Sequence, residues 1–226
     1  MLKNFKLILC RHGESILNKQ NKVSEWSDTN LNYRGISQSF FIGQKLLNHN
    51  LIPDTIYTSQ LKRTKQTSSI IKYFLKKDVH TISSWILNER YYGILEGKNQ
   101  HEAIIEYGAY NIHKIKTDFY TMPYFFENKY ILDNNRLINN NIETIIGESG
   151  NMVSKRVLPY FYNEITNNFI NNDTIMIISH KHVLKTLIKE LEKKNDEEYK
   201  NIEIPQGVLF YYELDKNLNL ITKKIL

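Results

Sequence analysis

Short apolar runs alternate along this chain with longer segments in which apolar residues recur at helical spacing. Runs of the first kind predict buried strands, and a period near 3.6 predicts amphipathic helices. The predicted strands are Phe5–Cys10, Pro53–Ser59 with its turn, Thr81–Ile86 and Asp173–Ser179. The predicted helices are Gly35–Asn48, Gln60–Leu75, Ser149–Phe169 and Val183–Glu192, with Ser59 as the expected cap of the second.

The remaining segments complete the expected topology. Gly207–Leu214 and Leu218–Thr222 alternate in the manner of a terminal hairpin, whereas residues 93–148 are less regular and include the Asn-rich stretch Asn134–Asn141. We interpret 93–148 as a mobile, lid-like insertion. Strands that alternate with helices predict an α/β fold: a three-layer, doubly wound, mostly parallel sheet with helices on both faces. We expect residues 1–226 to form one domain around that sheet.

Composition narrows the class of protein. The chain has 226 residues, 41% hydrophobic, and 30 Lys plus Arg against 24 Asp plus Glu, so a folded core is expected and the net charge is only +6. No basic stripe with interleaved aromatic residues is present, which argues against nucleic-acid binding. The single cysteine, Cys10, excludes an internal disulfide and a cysteine-based zinc site. Without an apolar run of about 18 residues or a secretory leader, we expect a cytoplasmic protein that does not cross a membrane.

Charged and imidazole side chains follow the predicted strands. Arg11 and His12 follow the first strand, Arg63 lies in the turn of helix after the second, and His180 follows the late apolar strand. Because ligands of doubly wound sheets bind at the carboxyl ends of strands, these groups can converge on one crevice. Such a cationic crevice suits phosphate, and a neutral imidazole in it can attack phosphorus. Glu89, after the third strand, is a candidate proton donor for the leaving oxygen.

These residues and the motifs around them resemble the signature of the histidine phosphatase superfamily, in its cofactor-dependent phosphoglycerate mutase branch. The resemblance covers nearly the whole chain, and its ordered set of motifs is far more specific than an isolated Arg-His-Gly. The matching positions are Arg11-His12-Gly13-Glu14-Ser15, Asn18, Trp26-Ser27-Asp28, Leu31, Arg34-Gly35, Tyr57-Thr58-Ser59, Arg63, Gln66-Thr67, Leu87–Gly93, Glu96-Gly97-Lys98, Glu148-Ser149, Leu158-Pro159, Ser179-His180 and Ile204–Gly207.

The resemblance implies a role for each matching residue. His12 is expected to carry a phosphohistidine, Arg11, Arg63 and His180 to hold the phosphate, and Glu89 to donate the proton. It also implies candidate substrate contacts at Asn18, Ser24, Arg90, Tyr92 and Lys98. The family needs no metal, and many members form dimers or tetramers, so we expect a homodimer or homotetramer without a metal ion. His180 and His182 could form a metal pair, but no carboxylate or cysteine cluster accompanies them.

Four departures from the mutases bear on the substrate. Ser24-Glu25 replaces a Thr-Gly pair, and Glu25 is expected to add bulk and a negative charge that repels a bisphosphate. The insertion has Lys114–Asp118 where mutases have an Arg-Arg pair, and lysine does not replace a bidentate arginine. Lys181-His182-Val183 replaces Gly-Asn-Ser, and the sequence ends near the last strand, where mutases continue into a tail over the phosphohistidine.

Together these departures favour water as the phosphoryl acceptor. We therefore expect a phosphatase that hydrolyses a small phosphate monoester through a phosphohistidine at His12, with no cofactor. One alternative is a phosphoglycerate mutase that interconverts 3- and 2-phosphoglycerate, with 2,3-bisphosphoglycerate as phosphoryl donor. Another is an inactive member that serves as a binding or scaffold protein, a possibility that Glu25 and Lys181 leave open.

Overall fold

The computed structural model describes residues 4–123, 132–133, 136–139, 142–145, 147–170 and 174–226. The strands in these ranges are β1 Phe5–Arg11, β2 Thr55–Thr58, β3 His80–Ser83, β4 Leu132–Asp133, β5 Arg136–Asn139, β6 Ile142–Ile145, β7 Thr174–Ser179, β8 Leu209–Leu214 and β9 Leu220–Ile225. The α-helices are α1 Ile16–Lys19, α2 Tyr33–Asn48, α3 Lys62–Leu75, α4 Gln100–Tyr107, α5 Ala109–Thr117, α6 Gly150–Tyr160, α7 Lys181–Leu191 and α8 Asp196–Tyr199.

A six-stranded sheet in the order β3-β2-β7-β1-β8-β9 forms the centre of the fold. β3, β2, β7 and β1 run parallel to one another. At the other side of the sheet, β8 pairs antiparallel with β1, and β9 pairs antiparallel with β8. Alternate residues of β1 enter different cores: Leu7 and Leu9 pack on one face, Ile8 and Cys10 on the other. Helices α6 and α7 cover the first face and α2 and α3 the second. The predicted three-layer, mostly parallel α/β fold is therefore confirmed.

The segment 93–148 adds two helices and a small second sheet to this framework. Helices α4 and α5 share a core of their own with Tyr92 and Leu95, and β4, β5 and β6 pair in an antiparallel sheet. Residues 134, 135, 140 and 141 of the Asn-rich stretch lie outside the described ranges, as does Asp173 of the predicted fourth strand. The single-domain organisation and the lid role of the insertion stay predictions. No helix in the described ranges is long and apolar enough to cross a membrane.

Two predicted elements end several residues earlier in the structure than expected. The helix predicted to reach Phe169 is α-helical only to Tyr160, and a π-helical turn over Phe161–Ile165 follows. Pro159 lies inside the last turn of α6, where it has no backbone N–H to donate. The third strand is confined to His80–Ser83, because the Ser84 hydroxyl accepts from the Ile86 amide and begins a short 3₁₀ turn.

The start of α3 also differs from the expectation. Helix α3 begins at Lys62 rather than Gln60, and its cap residue Leu61 makes no side-chain cap bond. The Lys62 amide instead donates to Asp28 Oδ1 at 2.6 Å. Ser59 was expected to cap this helix. Its hydroxyl accepts from the amide of the cap residue Leu61 at 3.2 Å and pairs with Thr64 Oγ1 in the first turn at 2.8 Å. The distant Asp28 therefore ties the start of α3 to the loop that follows α1.

The loop after β1 passes very close to the first turn of α2, at two glycines. A Cβ on Gly35 would lie 2.2 Å from the Glu14 carbonyl oxygen, and one on Gly13 would lie 2.3 Å from the Gly35 carbonyl oxygen. The Asn32 amide also donates to the Glu14 carbonyl at 2.9 Å. Since each clash would be with backbone, a side chain at either position requires the loop to move.

We therefore predict that Gly35→Ala lowers the free energy of unfolding by about 2 kcal/mol and also displaces the loop that carries His12. Gly43→Ala on the same helix is the matched control, because its Cβ would meet only the Phe74 side chain, at 2.8 Å. Denaturant unfolding and calorimetric binding of inorganic phosphate measure the two effects. Both variants should be destabilised, but only Gly35→Ala should lose phosphate affinity; equal losses of affinity would contradict the prediction.

Candidate active site

His12 and His180 lie side by side at the carboxyl edge of the sheet. Strands β1 and β7 are parallel neighbours, and their register pairs Arg11 with Ser179, so the next residue of each strand leaves the sheet at the same level. The His12 amide donates to the Ser179 carbonyl at 3.0 Å, and the two imidazole centroids are 4.9 Å apart. The sheet thus brings together two histidines that are 168 positions apart in the sequence.

The His12 ring is held in one tautomer. Its Nδ1 lies 2.7 Å from the Gly13 carbonyl oxygen, which can only accept, so Nδ1 carries the proton and Nε2 carries the free lone pair. Burial holds the pKa of His12 well below its usual value, and the charges of Arg63 and Arg11 lower it further. His12 is therefore a neutral imidazole with a free Nε2, the form that can act as a nucleophile.

Arg63 is fully buried and is held by main-chain oxygens. Its Nη1 donates to the Ser27 carbonyl at 2.9 Å, and its Nη2 donates to the carbonyls of Ser24 at 3.1 Å and Glu25 at 2.6 Å. Burial lowers the pKa of Arg63 to about 10, so the guanidinium stays charged at neutral pH. Three carbonyl dipoles hold this group without removing its charge.

His180 is also fully buried, and its ring is oriented by Ser59. The Nε2 atom lies 2.8 Å from Ser59 Oγ, which lies equally close to Thr64 Oγ1. When Ser59 donates to Nε2, the ring proton stands on Nδ1, pointing away from Ser59. Burial lowers the pKa of His180, with further contributions from Arg63 and His12. Sequence reasoning treated Ser59 only as a helix cap, although it lies within a motif of the resemblance.

Three nitrogens of this group are buried and have no hydrogen-bond partner among the described residues: Arg11 Nε, Arg63 Nε and His180 Nδ1. A different nitrogen of the same guanidinium, Arg11 Nη1, donates to the Ile204 carbonyl at 3.1 Å. Buried polar groups are almost always paired, so three unpaired donors on neighbouring residues indicate a binding site. Because two of them belong to arginines, an anion is a chemically suitable partner for them.

Glu89 occupies the N-terminus of α7. Its Oε1 accepts from the amides of Arg90 at 2.8 Å and His182 at 3.2 Å, and its Oε2 accepts from the Lys181 amide at 3.1 Å. The first amides of α7 are therefore occupied by Glu89. Its position next to His180 keeps it a candidate proton donor.

Two of the predicted substrate contacts lie together. Asn18 Nδ2 donates to Ser24 Oγ at 3.3 Å, and Asn18 Oδ1 accepts from Gln206 Nε2 at 3.2 Å. Asn18 Oδ1 also accepts from the Ser15 amide in the capping box of α1. Ser24 precedes Glu25, whose carbonyl accepts from Arg63, so this pair lies next to the Arg63 guanidinium.

The other three predicted substrate contacts have their polar ends engaged within the protein. Arg90 is fully buried, stacks on Tyr92, and donates to the carbonyls of Ile115, Thr121 and Glu148 at 2.9, 2.7 and 2.5 Å. Tyr92 Oη lies 2.6 Å from Nε2 of His182. The Lys98 ammonium pairs with an exposed glutamate, Glu106, at 2.6 Å. In this structure Arg90 thus ties the insertion to the main sheet, and the substrate roles of all three stay predictions.

Arg156 is a residue that the sequence analysis did not identify. Its Nε and Nη2 form a bidentate pair with the Glu148 carboxylate at 2.6 and 2.9 Å. Nη2 also donates to the carbonyls of Asn88 and Glu89 at 2.9 and 3.1 Å. It therefore fixes the backbone that presents Glu89. The sequence offered one signal for it: an arginine beside the apolar Val157, in the helix that follows the Glu148-Ser149 motif.

The structure corrects the expectation that Glu25 presents a negative charge. Glu25 is fully buried, its Oε2 accepts from the Gly93 amide at 3.0 Å, and burial raises the pKa of its carboxyl to about 9. The neighbouring charges of Glu96 and Glu89 act in the same direction, against the amides of Tyr92 and Gly93. At neutral pH Glu25 is therefore uncharged. Within the described part of the chain, no group of three His, Cys, Asp or Glu side chains is arranged to hold a metal ion.

Comparison with known proteins agrees with this geometry. Residues 7–223 match the family model described as histidine phosphatase superfamily (branch 1). The chain is 38% identical over 221 residues to the 2,3-bisphosphoglycerate-dependent phosphoglycerate mutase of Blochmanniella floridana, covering 96% of this chain and 95% of that protein. It is 36% identical over 225 residues to the mutase of the same name from Buchnera aphidicola subsp. Baizongia pistaciae, covering 97% of both.

Solved structures with the same fold include two phosphatases. The α-ribazole phosphatase of Shigella flexneri superposes with a TM-score of 0.73 at 23% identity, over 98% of this chain and 96% of that one. A mycobacterial glucosyl-3-phosphoglycerate phosphatase superposes with a TM-score of 0.71 at 16% identity, over 92% of each chain. At these identities the likeness shows the shared fold.

Ser59→Ala should weaken anion binding, because His180 loses the hydroxyl that orients its ring. We predict that the Kd of inorganic phosphate, measured by calorimetry, rises about fivefold, as expected for the loss of one hydrogen bond. Ser83→Ala is the matched control, since it removes a hydroxyl that pairs with Thr58 Oγ1 at 2.8 Å in the neighbouring strands. An unchanged Kd in Ser59→Ala, or an equal rise in Ser83→Ala, would refute this role.

Glu25→Gln should become progressively more stabilising as the pH rises. The Glu25 carboxyl is charged above about pH 4.5 in the unfolded chain but stays protonated in the folded chain up to about pH 9. The folded state therefore binds more protons over this range, and the stability of the unsubstituted protein falls as the pH increases. Thermal melts should show the Tm difference between Glu25→Gln and the unsubstituted protein growing between these limits. A constant difference would mean that the carboxyl is ionised in the folded protein.

Proposed function

This chain belongs to branch 1 of the histidine phosphatase superfamily, and from that premise we propose that it hydrolyses phosphate monoesters through a phosphohistidine at His12. The observation that carries the proposal is the group of three unpaired, buried nitrogens beside the free Nε2 of His12. A phosphoryl group offers three equatorial oxygens, and stabilising the charge on these oxygens is the main task in phosphoryl transfer.

In the first step, His12 Nε2 attacks phosphorus and the bond from phosphorus to the ester oxygen breaks. Arg11, Arg63 and His180 stabilise the charge on the equatorial oxygens. Glu89, in its protonated form, gives its proton to the leaving oxygen, so that an alcohol departs. Its carboxyl oxygens already accept three amide bonds, which leaves one of about four lone-pair positions for that proton.

In the second step, a water molecule attacks the phosphohistidine. The Glu89 carboxylate takes a proton from this water as the new oxygen–phosphorus bond forms and the bond from nitrogen to phosphorus breaks. Inorganic phosphate leaves, His12 returns to its neutral form, and Glu89 is again protonated. The sum of both steps is ester plus water to alcohol plus phosphate, and neither a metal ion nor a cofactor is required.

The charges around the pocket support water as the acceptor. A mutase must hold an intermediate with a second anionic group while it reorients. Arg90, which could grip such a group, is saturated by three main-chain carbonyls, and Lys98 is paired with Glu106. Lys116, in the stretch that replaces the arginine pair, donates to Gln100 Oε1 at 3.3 Å. These cations are thus engaged elsewhere in the structure.

A second candidate is phosphoglycerate mutase activity, with 2,3-bisphosphoglycerate as phosphoryl donor. Two observations favour it: the mutases of Blochmanniella and Buchnera match this chain at 38% and 36% identity, and Glu25 carries no charge at neutral pH to repel a second anion. Both candidates share the first step, and they differ in whether water or a phosphoglycerate receives the phosphoryl group from His12. A small phosphorylated substrate, a cytoplasmic location and a homodimeric or homotetrameric assembly complete the proposal.

The test measures the shared intermediate first. Protein mixed with a ³²P-labelled monoester and quenched in alkali should carry an acid-labile label on His12. His12→Ala should abolish the label, whereas His180→Ala should slow its formation but leave its position unchanged, since His180 only stabilises the phosphoryl group. A label on His180, or full activity in His12→Ala, would refute the mechanism. An unlabelled, inactive protein would leave the binding or scaffold role.

The acceptor is then identified with p-nitrophenyl phosphate and 3-phosphoglycerate, the latter with and without 2,3-bisphosphoglycerate. Free phosphate and 2-phosphoglycerate are followed separately. We expect sustained release of phosphate with little 2-phosphoglycerate. Rapid formation of 2-phosphoglycerate that depends on the bisphosphate would replace hydrolysis by the mutase reaction.

A further inference from the structure

His182, the second residue of α7, has a buried imidazole that the chemistry described above does not use. Its neighbours Val183 and Leu187 in the same helix are buried and apolar. A polar ring in such a place costs free energy unless its nitrogens find partners. Both nitrogens do: Nε2 lies 2.6 Å from Tyr92 Oη, and Nδ1 lies 3.0 Å from Tyr199 Oη.

The two phenols hold this ring from different parts of the fold. Tyr92 packs in the core that α4 and α5 form, whereas Tyr199 lies in α8. Burial holds the pKa of His182 well below its usual value, and the charges of Arg90 and Lys185 lower it further, so the imidazole is neutral. A neutral imidazole has one donor and one acceptor nitrogen, and a phenol can act as either, so both hydrogen bonds form at the same time.

The main chain of His182 contacts the proposed proton donor. Its amide donates to Glu89 Oε1 at 3.2 Å, and the amide of the preceding Lys181 donates to Glu89 Oε2 at 3.1 Å. Tyr92 follows Glu89 after only two intervening residues. The amide and the ring of His182 therefore bind the two ends of the segment 89–92. A carboxyl that is held in this way has less freedom to swing away from a reacting atom.

We propose that His182 is a positioning residue for proton transfer: its amide and its ring together clamp the segment 89–92, so that the Glu89 carboxyl meets the leaving oxygen of the ester. This inference rests on the proposed function, because it takes Glu89 as the proton donor. His182 itself makes no contact with the substrate in this role. Since Tyr92 packs against α4 and α5, the position of the acid also depends on the insertion.

The leaving group separates this role from a merely structural one. An alcohol needs a proton as it departs, whereas p-nitrophenolate is a stable anion and departs without one. The rate of phosphohistidine formation is measured in single turnovers with ³²P-labelled glycerol 3-phosphate and with labelled p-nitrophenyl phosphate. His182→Phe keeps an aromatic ring but loses both hydrogen bonds. We expect it to slow labelling by the glycerol ester about tenfold and labelling by the aryl ester less than about twofold, with the half-saturating ester concentrations unchanged.

Two conservative variants separate the two contacts of the ring. Glutamine places an amide near the position of Nε2, and asparagine places one near the position of Nδ1. His182→Gln should therefore keep the bond to Tyr92 and restore fast labelling by the glycerol ester, whereas His182→Asn should keep only the bond to Tyr199 and stay slow. Because both variants carry the same amide group, this comparison holds even if His182→Phe does not fold.

Tyr212→Phe is the matched control for stability. It also removes a buried phenol that bonds to an end of α7, since Tyr212 Oη donates to Oε1 of Glu192, the residue that caps this helix, at 2.7 Å. Thermal melts should show a lower Tm for Tyr212→Phe, but both labelling rates should stay as they are in the unsubstituted protein.

Equal slowing of both esters in His182→Phe, fast labelling by the glycerol ester in His182→Asn, or a selective loss in Tyr212→Phe would each overturn the inference. Failure of the proposed function looks different: the unsubstituted protein would form no label, or Glu89→Gln would slow both esters alike. The clamp then has a readout of its own, the ¹H shift of the Lys181 amide that donates to Glu89. This resonance should move upfield in His182→Phe but not in His182→Gln, and an unmoved resonance in His182→Phe would contradict the clamp.

Discussion

Two arginines and two histidines, Arg11, Arg63, His12 and His180, lie close together at the carboxyl edge of the central sheet, and all but Arg11 are buried. Like charges in such a place repel strongly, and the structure limits the repulsion in two ways. Burial and the arginine charges keep His12 and His180 neutral, and main-chain carbonyls hold Arg63 and Arg11. Three nitrogens of these side chains have no hydrogen-bond partner among the described residues, and we propose that they bind the phosphoryl group.

The surrounding strands, loops and helices hold these side chains in position. Parallel pairing of β1 with β7 places His12 beside His180, and the close approach of Gly13 to Gly35 holds the loop in position. The N-terminus of α7 binds the carboxylate of Glu89, which keeps the acid group next to the pocket without occupying it. Arg156 and Arg90 fix the backbone on either side of Glu89, so the position of the acid depends on residues outside the pocket.

Parts of this arrangement were predictable from the sequence, because they depend on pattern and topology. An apolar run that ends at Arg11-His12 and another that ends at His180 suffice to place both histidines at one sheet edge. The charge of Glu25, the engagement of Arg90 by main-chain oxygens and the orientation of His180 by Ser59 were not predictable in this way, because each depends on burial and on contacts with distant residues.

The central claim is that these nitrogens surround a phosphoryl group bonded to His12, and a crystal structure with vanadate tests it most directly. Vanadate adopts the five-coordinate geometry of the transferring phosphoryl group. The account predicts a bond from vanadium to His12 Nε2, with the equatorial oxygens hydrogen-bonded to Arg11, Arg63 and His180 and Glu89 next to the apical oxygen. Vanadate bonded to His180, or bound away from Arg11 and Arg63, would contradict it.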